Sequence, residues 1–227
     1  MKVGTDGVLL GAWAPIDKVQ SDKVQCTILD VGTGSGLIAR MLMQRCPEAE
    51  VEGIDIDEAA VEQACENGVK AYCSSLQEWQ MVNGKSSNHQ LQITDHQYDL
   101  IVSNPPYFQN SLKNPDKGRQ IARHTDTLSY EELIKHSARL LTINGQLALI
   151  LPAEAEKEVR ELAAQYSLYC SRVTRVYSKE GKPARRVLMS FQFSTFNLQY
   201  IEDTLVLEDE KGGRSAAYSE LCKEFYL

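Results

Sequence analysis

The sequence predicts an α/β three-layer sandwich, with a mostly parallel sheet of seven strands that includes a late antiparallel one. Short apolar runs alternate with segments of helical periodicity, the signature of strand–helix–strand units. The first of those runs enters a glycine-rich loop that opens a helix. Two late apolar runs flank a short polar linker, which favours an antiparallel pair.

Thr27-Ile28-Leu29-Asp30-Val31 reads as a buried first strand, followed by the loop Gly32-Thr33-Gly34-Ser35-Gly36. Leu37, Ile38, Met41 and Leu42 recur at helical spacing. Glu50 to Ile56 is the second strand, Asp57 caps a helix carrying Ala60, Val61 and Ala64, and Val69 to Cys73 is a short third strand. Met81 to Gln97 is polar and rich in turn formers, and reads as a surface insertion. Tyr98 to Ser103 is the fourth strand. Ser129 opens a helix through Leu141 whose first turn carries Glu131 and Glu132, and Asn144-Gly145 turns into a fifth strand, Gln146 to Leu151. A helix over Glu154 to Gln165 precedes two strands, Arg172–Tyr177 and Val187–Phe193, around the linker Ser178–Pro183. A strand over Leu205–Leu207 and a terminal helix complete the chain. The reading is one domain over 1–227, with a core of about 24–194 and an appendage at 195–227.

The 227 residues carry 24 basic and 31 acidic side chains, a formal charge of −7. With 43% hydrophobic and 24% charged residues the chain is globular rather than disordered, and long enough to bury a core without disulfides or a structural metal. The six cysteines are scattered without a CxxC pair, and the histidines lie in different segments, which excludes a zinc-ligand spacing. Reduced thiols in a cytoplasmic protein are the simplest reading. No signal-peptide core opens the chain, and no apolar run approaches the roughly 18 residues a membrane span needs. An acidic total repels polyanions at long range, so nucleic-acid binding would rest on local basic patches.

The glycine loop lies between a strand and a helix, the context a nucleotide loop requires. A dinucleotide fingerprint would need a third glycine where Leu37 stands. The spacing with Asp30 in front resembles instead the first motif of class I S-adenosylmethionine-dependent methyltransferases. Glycines let a backbone approach a ligand closely, and the helix N-terminus favours a carboxylate. Asp30 suits the cationic end of the same ligand. Asp55, about twenty residues past the loop, suits two ribose hydroxyls, with Ile56 beside it. The bland alternative is a tight turn with Asp55 a solvated charge.

Asn104-Pro105-Pro106-Tyr107 follows the fourth strand, where ligands of open α/β sheets bind. The two prolines fix φ and carry no N–H, which leaves carbonyls as acceptors. The Asn104 side-chain oxygen and the Pro105 carbonyl together suit one amino group, and Tyr107 suits a flat base turned out of its stack. A rigid turn with core aromatics is the alternative. Joined to the glycine loop, the tetrad resembles that of amino-methyltransferases acting on adenine, glutamine or guanine.

The opening Met1 to Trp13, the extension to Phe108 and the tail Tyr218–Leu227 complete the resemblance, which covers essentially the whole chain. The chain is similar to the bacterial tRNA1(Val) adenosine-37 N6-methyltransferase family. That resemblance implies a Rossmann-like class I methyltransferase fold and methyl transfer from S-adenosylmethionine, without a metal, to the exocyclic N6 amine of an adenosine beside the anticodon. S-adenosylhomocysteine is the product. It implies a tRNA substrate, no membrane partner and no obligate protein partner. Catalytic residues on this likeness are Asn104, Pro105, Pro106 and Tyr107. Cofactor contacts are Thr5, Asp6, Asp30, Gly32, Thr33, Gly34, Gly36, Asp55, Ile56, Ser75 and Asn104. Thr5 and Asp6 belong to a segment expected to close over the cofactor, or else to a plain turn with a helix cap. Ser75 stands where such enzymes often have an acid facing the cofactor adenine, and a short leader that the family carries before Lys2 is expected to be missing here. Two alternatives stay open: glutamine-amide methylation of a protein such as a release factor, and an inactive cofactor-binding RNA module.

Two basic clusters counter the acidic total. Lys113, Lys117, Arg119 and Arg123 follow the tetrad, and Lys182, Arg185 and Arg186 follow Lys179 in the late linker. They are the expected phosphate contacts, with two solvated loops as the alternative.

Overall fold

A computed structural model describes residues 4–16, 26–83, 98–105, 128–193 and 199–225. Eight strands form one sheet: β1 Thr27–Val31, β2 Glu50–Asp55, β3 Lys70–Cys73, β4 Tyr98–Ser103, β5 Leu141–Pro152, β6 Leu168–Tyr177, β7 Ala184–Phe193 and β8 Ile201–Val206. Their order is β3-β2-β1-β4-β5-β7-β6-β8. All neighbours run parallel except β7, which is antiparallel to both β5 and β6. The strand order reverses between β1 and β4, and it is there that open α/β sheets bind ligands.

Strand residues alternate between two faces because successive side chains point oppositely. Ile28, Leu100, Val102, Ala148 and Ile150 pack into one core with α1 (Thr5–Trp13), α2 (Leu37–Arg45), α3 (Glu58–Glu66) and α7 (Ala216–Leu221). Leu29, Val31, Ile101, Leu147 and Leu149 pack into the other with α4 (Leu76–Asn83), α5 (Tyr130–Leu140) and α6 (Glu156–Gln165). The three-layer sandwich is therefore as expected.

The caps follow local chemistry. Asp57 accepts from the Ala59 amide at the start of α3. Ser129 and Glu132 form a capping box on α5, which satisfies two otherwise orphaned donors.

Three expectations need correction. The sheet has eight strands rather than seven, because Ile201–Val206 adds to β6 in parallel. The polar stretch read as an insertion begins in the last turns of α4, whose start is a second capping box between Ser75 and Glu78; residues 84–97 lie outside those described. Asn144-Gly145 is not a turn but lies inside β5, where the ladder to β4 shifts register. A Cβ at Gly145 would stand 2.8 Å from the Tyr98 carbonyl oxygen, so the glycine serves a close strand approach.

Candidate active site

β1, β4 and β5 carry their ends to one edge of the sheet. Val31 is in register with Ser103, so the next residues, Gly32 and Asn104, leave adjacent strands side by side. The Ser103 hydroxyl, buried, donates to the Val31 carbonyl at 2.8 Å and ties the two ends together. Asn104 is half-buried and Pro105 buried. Pro106 and Tyr107 lie outside the described residues.

The glycine loop is held from both sides. The Gly32 and Thr33 amides donate to the Ile54 carbonyl at 2.9 and 3.0 Å, and the Gly34 amide donates to Asp55 Oδ2 at 2.9 Å. Gly32, Gly34 and Gly36 have φ of 72, 55 and 80°, in the left-handed region that favours glycine. At Gly36, the N-cap of α2, a Cβ would also meet Val69 at 2.8 Å. At Gly32 a Cβ would meet nothing within 4 Å among the described residues, which leave open space over the loop.

Asp30 is fully buried beneath that loop. Its Oδ2 accepts from the Thr33 hydroxyl at 2.8 Å and from the Ala39 amide at 3.2 Å, which caps the first turn of α2. Its Oδ1 is buried with no partner among the described residues. Burial pushes the Asp30 carboxyl up to about 7, helped by the Asp55 charge and opposed by the two hydrogen bonds. An orphaned buried acceptor beside an open glycine cradle fits a ligand that brings an ammonium group.

Asp55 is half-buried at the end of β2, each oxygen accepting one amide, from Gly34 and from Asp57. A carboxylate offers about four lone-pair sites, so two remain for hydroxyls. Ile56 is 61% exposed, an apolar side chain open to a ligand's flat face. The Ser75 hydroxyl donates to Glu78 Oε2 at 2.9 Å and accepts from the Glu78 amide, so only an acceptor site is left on it. The Ser75 hydroxyl and the Ser75 amide, both donating to it, hold the Glu78 carboxyl below its usual range.

Thr5 is exposed and Asp6 half-buried in the first turn of α1. The β6–β7 hairpin rises from the same edge as the loop, because β6 runs parallel to β5. Lys182 and Arg185 are exposed there, whereas Arg186 pairs with Asp6 and Lys179 with Glu208. The other basic cluster, Lys113, Lys117, Arg119 and Arg123, lies outside the described residues. Ser103 and the Asp6–Arg186 pairing were not legible beforehand: a lone serine in an apolar strand has no distinguishing signal, and Asp6 and Arg186 are 180 positions apart.

Among the described residues no group of three His, Cys, Asp or Glu side chains could hold a metal ion, and no helix is long and apolar enough to cross a membrane.

A glycine loop at the switch point, an acid beneath it and an acid at the end of β2 define a class I S-adenosylmethionine-dependent methyltransferase. Solved structures agree on that fold. A predicted O-methyltransferase of Agrobacterium tumefaciens superposes with a TM-score of 0.67 at 16% identity, covering 96% of this chain and 95% of that one. An S-adenosylmethionine-dependent methyltransferase of Clostridium acetobutylicum gives 0.54 at 12% identity, covering 84% and 93%. The family model for the methyltransferase small domain matches residues 14–169. Curated proteins named tRNA1(Val) (adenine(37)-N6)-methyltransferase are similar over the full chain and about nine-tenths of their own length. The identity is 43% for the one from Bacteroides fragilis, 42% for Porphyromonas gingivalis and 36% for Pseudoalteromonas translucida. The chain belongs to the methyltransferase small domain family, and within it to the group of these tRNA1(Val) (adenine(37)-N6)-methyltransferases.

Proposed function

We propose that this protein transfers a methyl group from S-adenosylmethionine to the N6 amine of adenosine 37 in tRNA1(Val), as its relatives are named for doing. The observation that carries the reading is the position of Asn104 and Pro105, which leave β4 beside the glycine loop at the switch point. S-adenosylmethionine, when bound, supplies an electrophilic methyl on a sulfonium.

Asp30 would receive its amino group, Gly32, Thr33, Gly34 and Gly36 would cradle its methionine part, and Asp55 with Ile56 and Ser75 would take its ribose and adenine. The Asn104 side-chain oxygen and the Pro105 carbonyl would accept the two N–H bonds of the substrate amine. That holds the nitrogen lone pair toward the donor, and the acceptors gain strength as the nitrogen turns cationic. Positioning and electrostatics then suffice, and no strong base is required. Tyr107 would stack on the turned-out base, and Pro106 would keep the tetrad rigid. Thr5 and Asp6 would cover the cofactor from α1. Lys113, Lys117, Arg119, Arg123, Lys182 and Arg185 would contact phosphates, while Arg186, named with them on the sequence, is already paired with Asp6. A tRNA substrate fits an enzyme of the cytoplasm.

Incubation with labelled cofactor and a tRNA1(Val) transcript, followed by nucleoside mass spectrometry, tests the reading. N6-methyladenosine in the transcript, absent from one with guanosine at position 37, is the expected result. Label that enters a release factor and no tRNA would overturn it.

A further inference from the structure

The first turn of α1 and the start of β7 meet at an ion pair. Arg186 Nε donates to Asp6 Oδ2 at 2.9 Å, and the two side chains are only 30% and 24% exposed. Two other contacts fix where the pair sits. A Cβ on Gly7, next to Asp6, would stand 3.1 Å from Leu37, the residue that directly follows the glycine loop. Arg186 itself is in register with Pro152, at the carboxyl end of β5. The contact therefore joins α1, whose next residue packs on the helix that follows the glycine loop, to the strand ends beyond Asn104. Between β1 and β7 lie β4 and β5, a span of roughly 14 Å at about 4.8 Å per strand.

The charges around Arg186 fit this role better than a phosphate contact. Its guanidinium is engaged by the Asp6 carboxylate, and Glu154 and Glu158 act with it on the one phenol of Tyr130. Lys182 and Arg185, by contrast, are exposed and make no ion pair among the described residues.

We infer that the Asp6–Arg186 pair is a strap that holds the first turn of α1 over the cofactor site, which makes Arg186 a positioning residue for cofactor binding. The inference rests on the cofactor reading of the site and is independent of the methyl acceptor. A half-buried pair lies between exposed pairs, which matter little, and buried ones, whose loss is severe.

Calorimetric titration of S-adenosylhomocysteine into the wild type, Asp6→Asn, Arg186→Gln and the double variant tests it, with thermal unfolding as the control for folding. Each single variant is expected to bind about tenfold more weakly, and the double variant no more weakly than Asp6→Asn. Binding of tRNA to Arg186→Gln should keep the wild-type salt dependence. Wild-type S-adenosylhomocysteine affinity in Arg186→Gln, additive losses in the double variant, or a shallower tRNA salt dependence would each overturn the strap. If Arg186→Gln folds poorly, Arg186→Met replaces it: an affinity about tenfold below wild type supports the strap, and an undiminished affinity overturns it. A wild-type protein that binds no S-adenosylhomocysteine would remove the cofactor reading itself, a separate failure.

Discussion

The Ser103 hydroxyl and the Val31 carbonyl are hydrogen-bonded at 2.8 Å in a fully buried setting, so the ends of β4 and β1 are joined by a side chain as well as by their ladder. Asn104 and Gly32 follow at once, and their relative position depends on that joint. Ser103→Ala should lower stability by about 1 kcal/mol, the usual net worth of such a bond. It should also reduce turnover more than cofactor affinity, since it loosens the acceptor pair and leaves the glycine loop bonded to Ile54. Denaturant unfolding and a comparison of kcat with cofactor Kd check both.

The buried Asp30 makes stability and cofactor binding depend on pH in opposite senses. Its folded-state pKa of about 7 lies above the ordinary value of 3.8, so the folded protein holds the proton more tightly than the unfolded chain. Its contribution is complete below about pH 4 and is lost as pH rises through about 7. The Tm of the ligand-free wild type should therefore fall over that window relative to Asp30→Asn. An ammonium ligand needs the ionised carboxylate, so cofactor affinity should rise between about pH 6 and pH 8 with proton release at the acid end. Calorimetry in buffers of different ionisation enthalpy would detect that proton, and Asp30→Asn should abolish it.

Gly36 serves two constraints at once, a φ of 80° and a contact that would place a Cβ 2.8 Å from Val69. Gly36→Ala should cost about 1–3 kcal/mol, from left-handed strain together with overpacking. A fall in Tm with weakened cofactor binding is the expected reading, because α2 and the loop share this residue.

Lys182 and Arg185 stand exposed on the hairpin at the active-site edge. Each Lys182→Ala or Arg185→Ala change should weaken tRNA binding at low salt without altering cofactor affinity. The slope of log K against log salt should shrink by about 0.7–0.9 for each phosphate that the variant no longer neutralises. Binding titrations across a salt series measure this directly.

Much of the fold is legible because its signals are local. Asp57 and Ser129 cap helices as their side chains dictate, and Asp30 to Gly36 announces a strand, a left-handed loop and a helix in one stretch. The misread elements fail for physical reasons. The Ser75–Glu78 box signals a helix start, yet Leu76, Trp79 and Val82 recur over only about two turns before a polar stretch. Asn144-Gly145 has turn chemistry, but the glycine answers a strand crossing visible only once β4 and β5 lie together. β8 is legible only at its end, from Leu205, because its start is an edge held by Glu202 and Asp203 bonding Arg175 and Arg172 and has no apolar pattern. Within the site, the loop acids and Asn104 are readable as residue types. The orphaned oxygen of Asp30 and the pairing of Asp6 with Arg186 are tertiary facts.

In the proposed reaction Asn104 acts on the substrate amine and not on folding or the glycine cradle. Single-turnover methylation of a tRNA1(Val) transcript by Asn104→Ala, measured alongside S-adenosylhomocysteine affinity, tests it most directly. Near-wild-type affinity is expected, with the rate reduced by about 10²–10³, the loss typical of one preorganised electrostatic partner. An unchanged rate in a protein that binds S-adenosylhomocysteine normally would contradict it.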